Sequence, residues 1–196
     1  MTCNKGCKDW GFVGMTRVYI ALGSNLGDSK RILTEAWATL GECERITLDG
    51  LSSPYLSAPV GMKSQHWFTN AVGRLHTDLE PLELLEVLLE TEARFGRIRK
   101  SGSFGYQDRS LDLDLLYYGN VIMDVPELIL PHPRIGERLF VLVPLRELDS
   151  ELVDYATGKS VGEMQAALEH AMEVSGGKPQ EIICDSWEPA HLEILS

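Results

Sequence analysis

The stretch RVYIALGSNLGDSKRILTEAWATLG, residues 17–41, sets a strand against a helix across one tight turn. Arg17 to Leu22 is β-branched and aromatic with no breaker, which predicts a buried strand. Gly23 to Asp28 is rich in turn formers, and Asp28 or Ser29 stands where a helix cap belongs. Ile32, Leu33, Ala36, Trp37 and Leu40 then recur on one helical face, and Gly41 suits the stop. A strand feeding a helix with one apolar stripe predicts a layered domain of mixed type.

Outward from this unit, residues 44–56 read as one or two strands around the hairpin signal Asp49-Gly50. Pro54, Pro59 and Gly61 break the next stretch into a loop, 57–66, before a strand from Trp67 to His76. A helix comes next, with Pro81 in its first turn, Glu83 and Glu86 near its positive end and Gly96 past its stop. Its apolar face reads Leu82, Leu85, Leu88 and Leu89, with Glu92 at the same spacing. Residues 97–110 (RIRKSGSFGYQDRS) are basic and rich in Gly and Ser, and predict a mobile loop. Leu111 to Tyr118 reads as a strand, and Gly119-Asn120 as a turn into a short partner at 121–123. A short helix is expected over 134–142, and Ser160 with Glu163 opens a last helix to about Met172. From Ser175 the chain is polar and acidic, and no element is expected. Strands and helices mix without strict alternation, so the fold class is α+β, helices packed on a mostly antiparallel sheet. The expected organisation is a loose arm at 1–15, one domain over 16–174 and a tail at 175–196.

A chain of 196 residues suits one domain of ordinary size. Its apolar runs are too short to span a bilayer. The net charge of −11 repels nucleic acid and anionic membranes. A phosphate-bearing ligand would therefore need a local cationic cluster or a metal. Cys3, Cys7, Cys43 and Cys184 show no zinc-ligand spacing and read as free thiols in a reducing compartment. With no signal stretch at the N-terminus, the expected location is cytoplasmic.

The sharpest chemical feature is Asp112-Leu113-Asp114. Residues two apart on a strand share a face, so Leu111, Leu113 and Leu115 enter the core while both carboxylates project together. Paired carboxylates repel each other unless a cation lies between them, and magnesium takes such hard oxygen ligands. The plain alternative is a solvent-exposed strand edge. Arg97, Arg99, Lys100 and Arg109 invert the local field just upstream, which is what polyphosphate binding requires. A closing loop there would exclude water from phosphoryl transfer. Asn70 offers donors and acceptors to a heterocycle, and Phe68 and Phe140 offer stacking faces, although each also reads as an ordinary core residue or turn-end amide. His132, between Pro131 and Pro133, is a candidate phosphate or adenine contact or a structural histidine. Glu92 is either a half-exposed helix edge or a buried carboxylate that orients an arginine of the loop. Gly23-Ser24-Asn25 lacks Walker spacing and is not a P-loop.

The ordered set VYIALGSNLGD (18–28), SPYLSAPVG (53–61), FTNAV (68–72), GRIRK (96–100), RSLDLDLLYYGN (109–120) and LPHPRIGERLFVLVPL (130–145) resembles the 6-hydroxymethyl-7,8-dihydropterin pyrophosphokinase family of the folate pathway. The resemblance spans nearly all of 17–158. It implies a ferredoxin-like antiparallel sheet with helices packed on it in three αβα layers. It implies transfer of pyrophosphate from ATP to the pterin hydroxymethyl oxygen, with two magnesium ions and release of AMP. Carried onto this sequence, it makes Asp112 and Asp114 the metal ligands and Arg97 and Arg109 catalytic. It assigns Glu92, Arg99, His132 and Arg138 to ATP, and Ser57, Pro59, Val60, Phe68, Asn70 and Phe140 to the pterin. The chain departs from the family pattern at Tyr106-Gln107-Asp108, at Leu89 and at Pro133. Small-molecule substrates are the expected partners, with no nucleic acid and no membrane. Two other readings stay open at this point: another metal-dependent nucleotide-using transferase, and a non-catalytic pterin- and nucleotide-binding protein.

Overall fold

A computed structural model describes residues 14–59, 66–97, 108–176 and 179–187. In its first strand, β1 (Thr16–Ser24), Val18, Ile20 and Leu22 point to one side and Tyr19 to the other, so both faces of the sheet are covered. Helix α1 (Ser29–Leu40) starts where the Asp28 carboxylate accepts the Arg31 N–H, as the turn chemistry predicts. Strands β2 (Ile46–Leu51), β3 (Tyr55–Ser57) and β4 (Phe68–Thr77) come next, then helix α2 (Pro81–Arg94) and strand β5 (Asp112–Tyr118).

The sheet runs β5-β1-β4-β3, with β2 also on β4, and these pairings are antiparallel. Strand β1 lies between β4 and β5, the split βαβ arrangement of a ferredoxin-like fold. Pro54 has no N–H to give a ladder, and the edge strand breaks there into β2 and β3. The Ser52 hydroxyl spans the break by accepting the Val72 N–H at 3.0 Å.

Helices α1 and α2 cover one face, where Leu33, Ala36, Leu40, Leu84 and Leu88 meet Val18, Ile20, Leu22, Leu113 and Leu115. Gly73 on β4 lies under Trp37, and a Cβ there would come within 2.3 Å of the indole. Helix α3 (Leu139–Leu148) covers the other face through Val141, Leu142 and Leu145, with α4 (Val161–Ser175) packed beside it. Tyr55 and Tyr117 reach across to Glu147 and Asp154, each donating its hydroxyl proton to a carboxylate at 2.7 and 2.9 Å. Burial and these carboxylates push both phenols well above their ordinary value. The result is the expected three-layer α+β sandwich.

Several expectations are corrected. The chain does not turn at Asp49-Gly50: β2 runs through with a bulge between Leu48 and Gly50, and Arg74 pairs with Asp49 at 2.5 Å. The buried face of α2 is Leu84, Leu88, Thr91 and Glu92, while Leu82 is exposed, because the sheet meets the helix one residue round from the expected stripe. The turn at Gly119 does not lead to a partner of β5. Instead β6 (Met123–Val125) pairs with β7 (Leu128–Leu130) in a separate ribbon. The helix expected over 134–142 is a 3₁₀ turn (Ile135–Glu137), an extended Arg138, and then α3. The tail after Ser175, where no element is expected, supplies a strand, β8 (Ile182–Cys184), which adds to β3.

Candidate active site

Strand alternation puts Asp112 and Asp114 on the α3 side of the sheet, with Leu113 and Leu115 in the opposite core. Register then decides their neighbours. Gly23 on β1 lies between Asp112 on β5 and Asn70 on β4, and Ala21 lies between Asp114 and Val72. A Cβ at Gly23 would come 3.4 Å from Asn70 Oδ1 and 3.8 Å from Asp112 Cβ, so glycine leaves a floor between amide and carboxylate. Above it opens a cleft lined among others by Ser57, Phe68, Asn70, Arg109, Asp112, Asp114, Arg138 and Phe140.

Three arginines hold the carboxylates. Arg97 Nη1 reaches both Glu92 Oε1 and Asp112 Oδ1. Arg109 pairs with Asp112 at 2.9 Å, and Arg138 with Asp114 at 3.3 Å. The arginine side chains are 11–18% exposed, so their pairs lie in a medium of lowered dielectric. Glu92 is 1% exposed and also accepts the Leu113 N–H at 2.8 Å. Of the two readings of Glu92, the buried carboxylate that orients a loop arginine is the one observed.

Asn70, Phe68 and Phe140 line the same cleft. Asn70 Nδ2 donates to Ser57 Oγ at 2.9 Å, which fixes the orientation of the amide. The Arg109 guanidinium stands 5.8 Å from the Phe68 ring centre, and that of Arg138 stands 5.7 Å from Phe140. Arg97, Glu92, His132 and Pro59 are not among the lining residues. His132 Nδ1 accepts the Arg134 N–H at 3.1 Å, and burial holds its imidazole below the ordinary value against the pull of Asp114. The expected positions Val60 and Arg99, and the departures at Tyr106 and Gln107, lie outside the described residues.

Sequence reasoning missed Asn25. Its amide donates to Asp108 at 2.7 Å and accepts the Arg109 N–H at 2.8 Å, while its own N–H bonds the Arg109 carbonyl at 3.1 Å. The last two bonds hold the backbone from which Arg109 enters the site, and the first ties the side chain of the preceding residue to the same asparagine. The local signal was an amide after Gly23-Ser24, weighed only as a phosphate loop.

Asp112 and Asp114 offer hard oxygens on one face, beside cations that suit a polyphosphate. That donor set fits magnesium, which takes one or two carboxylates and completes its shell from phosphate and water. Among the described residues no three metal-ligating side chains cluster.

The 7,8-dihydro-6-hydroxymethylpterin-pyrophosphokinase profile matches residues 19–150, which include the carboxylate pair, its three arginines and Asn70. The chain belongs to this family. The family's reaction class is that of an ATP-dependent diphosphotransferase, so the chain is an enzyme of that class. A 2-amino-4-hydroxy-6-hydroxymethyldihydropteridine pyrophosphokinase of Bacillus subtilis is 40% identical over 139 residues, 71% of this chain and 81% of that one. One from Methylorubrum extorquens is 39% identical over 155 residues, 79% of this chain and 95% of that one. The solved wild-type HPPK-DHPS of Plasmodium falciparum with pteroate shares the fold, with TM-score 0.65 at 10% identity. That likeness covers 83% of this chain and 46% of the solved one. Helix α4 and strand β8 lie beyond the residues matched by the family profile. Among the described residues, no helix is long and apolar enough to cross a membrane.

Proposed function

We propose that this pyrophosphokinase transfers the β,γ-pyrophosphoryl group of ATP to 6-hydroxymethyl-7,8-dihydropterin, giving AMP and the pterin pyrophosphate in the cytoplasm. The observation that carries the reading is the cleft itself. Asp112, Asp114, Arg109 and Arg138 line it together with Asn70, Phe68 and Phe140, the Asn70 amide is held by Ser57, and Arg97 pairs with Asp112.

Asn70, oriented by Ser57, reads the donor-acceptor edge of the pterin, and Phe68 and Phe140 give its faces apolar contact. Pro59 and Val60 are assigned to the pterin by the family resemblance alone. Arg97 and Arg109 grip the triphosphate and stabilise the charge that moves onto the leaving oxygen. Arg138, with His132 and Arg99, holds the nucleotide. Glu92 keeps Arg97 pointed at the site rather than touching ATP through an exposed carboxylate. Two magnesium ions, held by Asp112 and Asp114, would supply the remaining neutralisation of the triphosphate. The hydroxymethyl oxygen attacks the β-phosphorus in line, a new O–P bond forms, and the bond from β-phosphorus to the α–β bridging oxygen breaks. AMP leaves with that oxygen, and the hydroxyl proton is lost to solvent.

The test is incubation of the full chain with ATP, magnesium and the pterin, read by mass spectrometry with a chelator control. AMP and pterin pyrophosphate are expected only when pterin and metal are both present. Pterin bound with ATP left intact would instead make this a non-catalytic binding protein.

A further inference from the structure

The segment 179–187 is stitched to both walls of the cleft. Strand β8 pairs with β3, placing Ile182 opposite Ser57, the residue that orients Asn70. The Asp185 carboxylate meets Lys30 at 2.6 Å, and the Trp187 indole donates to the Ser52 carbonyl at 2.9 Å. At its other end, Gln180 Oε1 accepts the Leu139 N–H at 2.9 Å while Nε2 donates to the Glu137 carbonyl at 2.9 Å.

Those two bonds bracket Arg138. Arg138 is the extended residue (φ −129°, ψ 102°) between the 3₁₀ turn and α3, and it makes no side-chain cap for the helix it precedes. The first N–H groups of a helix have no partner inside it, so an acceptor from elsewhere both satisfies one and fixes the helix start. Gln180 supplies that acceptor from 41 residues away and ties down the carbonyl on the far side of the same junction. Arg138 leaves this junction toward Asp114, with its guanidinium over Phe140.

We propose that Gln180 is a positioning residue of the active site, holding the junction that aims Arg138 at the nucleotide. The proposal rests on the nucleotide-binding reading of Arg138 above. Its test is a double-mutant cycle on the full chain, reading the affinity of a non-hydrolysable ATP analogue with magnesium, with AMP release followed in parallel. Gln180→Ala is expected to weaken nucleotide binding roughly five- to tenfold, the size of losing these two hydrogen bonds. Gln180→Glu keeps the acceptor and loses the donor, and is expected to fall between wild type and Gln180→Ala. In an Arg138→Ala background, Gln180→Ala is expected to add less than about twofold. If Gln180→Ala multiplies the Arg138→Ala defect by its full factor, Gln180 does not act through Arg138 and the proposal fails. Should Gln180→Ala lose its cooperative melt, Gln180→Glu carries the same cycle. Coupled binding without AMP release would overturn the catalytic reading and keep this one. AMP release without coupling would do the reverse.

Discussion

Asp114 pairs with one arginine and is a third exposed, so its removal disturbs little packing. Asp114→Ala is expected to lower metal-dependent AMP release by about 100-fold or more while the melting temperature barely moves. A variant with wild-type rates would sink the metal assignment. Arg109 owes its aim to Asn25, which bonds both the Arg109 N–H and, through its own N–H, the Arg109 carbonyl. Arg109→Ala is expected to lower kcat more than pterin affinity, because its charge is needed most as the leaving oxygen gains charge. Asn25→Ala keeps the arginine and loses its anchor. It is expected to show the same pattern at smaller amplitude, roughly tenfold in kcat, which steady-state kinetics on both substrates will read. A change confined to pterin affinity would place both residues outside the chemical step.

Among elements, the contact of α1 with the sheet depends on a missing side chain. Gly73→Ala would drive a methyl into the Trp37 ring and is expected to cost about 1–3 kcal/mol of stability, measured by urea unfolding. Strand β8 depends on a charge. The Lys30 ammonium, and then the Ser186 N–H, hold the Asp185 carboxyl below its ordinary 3.8. Between that lowered value and 3.8 the unfolded chain binds more protons, so this contribution rises with pH. It is complete above 3.8 and is lost as pH falls through the folded value. Asp185→Asn is therefore expected to lower the unfolding free energy by about 0.5 kcal/mol at pH 7, a modest figure for a pair this exposed. Wild type and variant should converge once pH falls below the folded value, and a difference unchanged by pH would deny the ion pair its role.

At the scale of the molecule, two cores share one sheet and only the α3 side carries the cleft. Leu40, fully buried at the end of α1 away from the turn at Asp28, belongs to the other core. Leu40→Ala is expected to cost about 3 kcal/mol of unfolding free energy while kcat per folded molecule stays unchanged. A proportional loss of kcat would mean that the two cores are coupled through the sheet.

Period-two alternation at 111–115 and helical spacing at 32–40 are local properties of the chain. They were enough to determine the layered α+β class and the shared face of Asp112 and Asp114, because backbone geometry sets side-chain direction wherever a strand or helix forms. The motif order carried the family as well. Which arginine meets which carboxylate was not legible, nor was the anchoring of Arg109 by Asn25 across 84 residues. The strand at 182–184 was hidden for the same reason. Ile182, Ile183 and Cys184 are too short an apolar run in a polar tail to announce an element, and they form a strand because the edge of β3 offers unpaired N–H and carbonyl groups. Such choices belong to register and to contacts between distant segments, whose free energy exists only once the sheet has assembled, and so only the tertiary structure decided them.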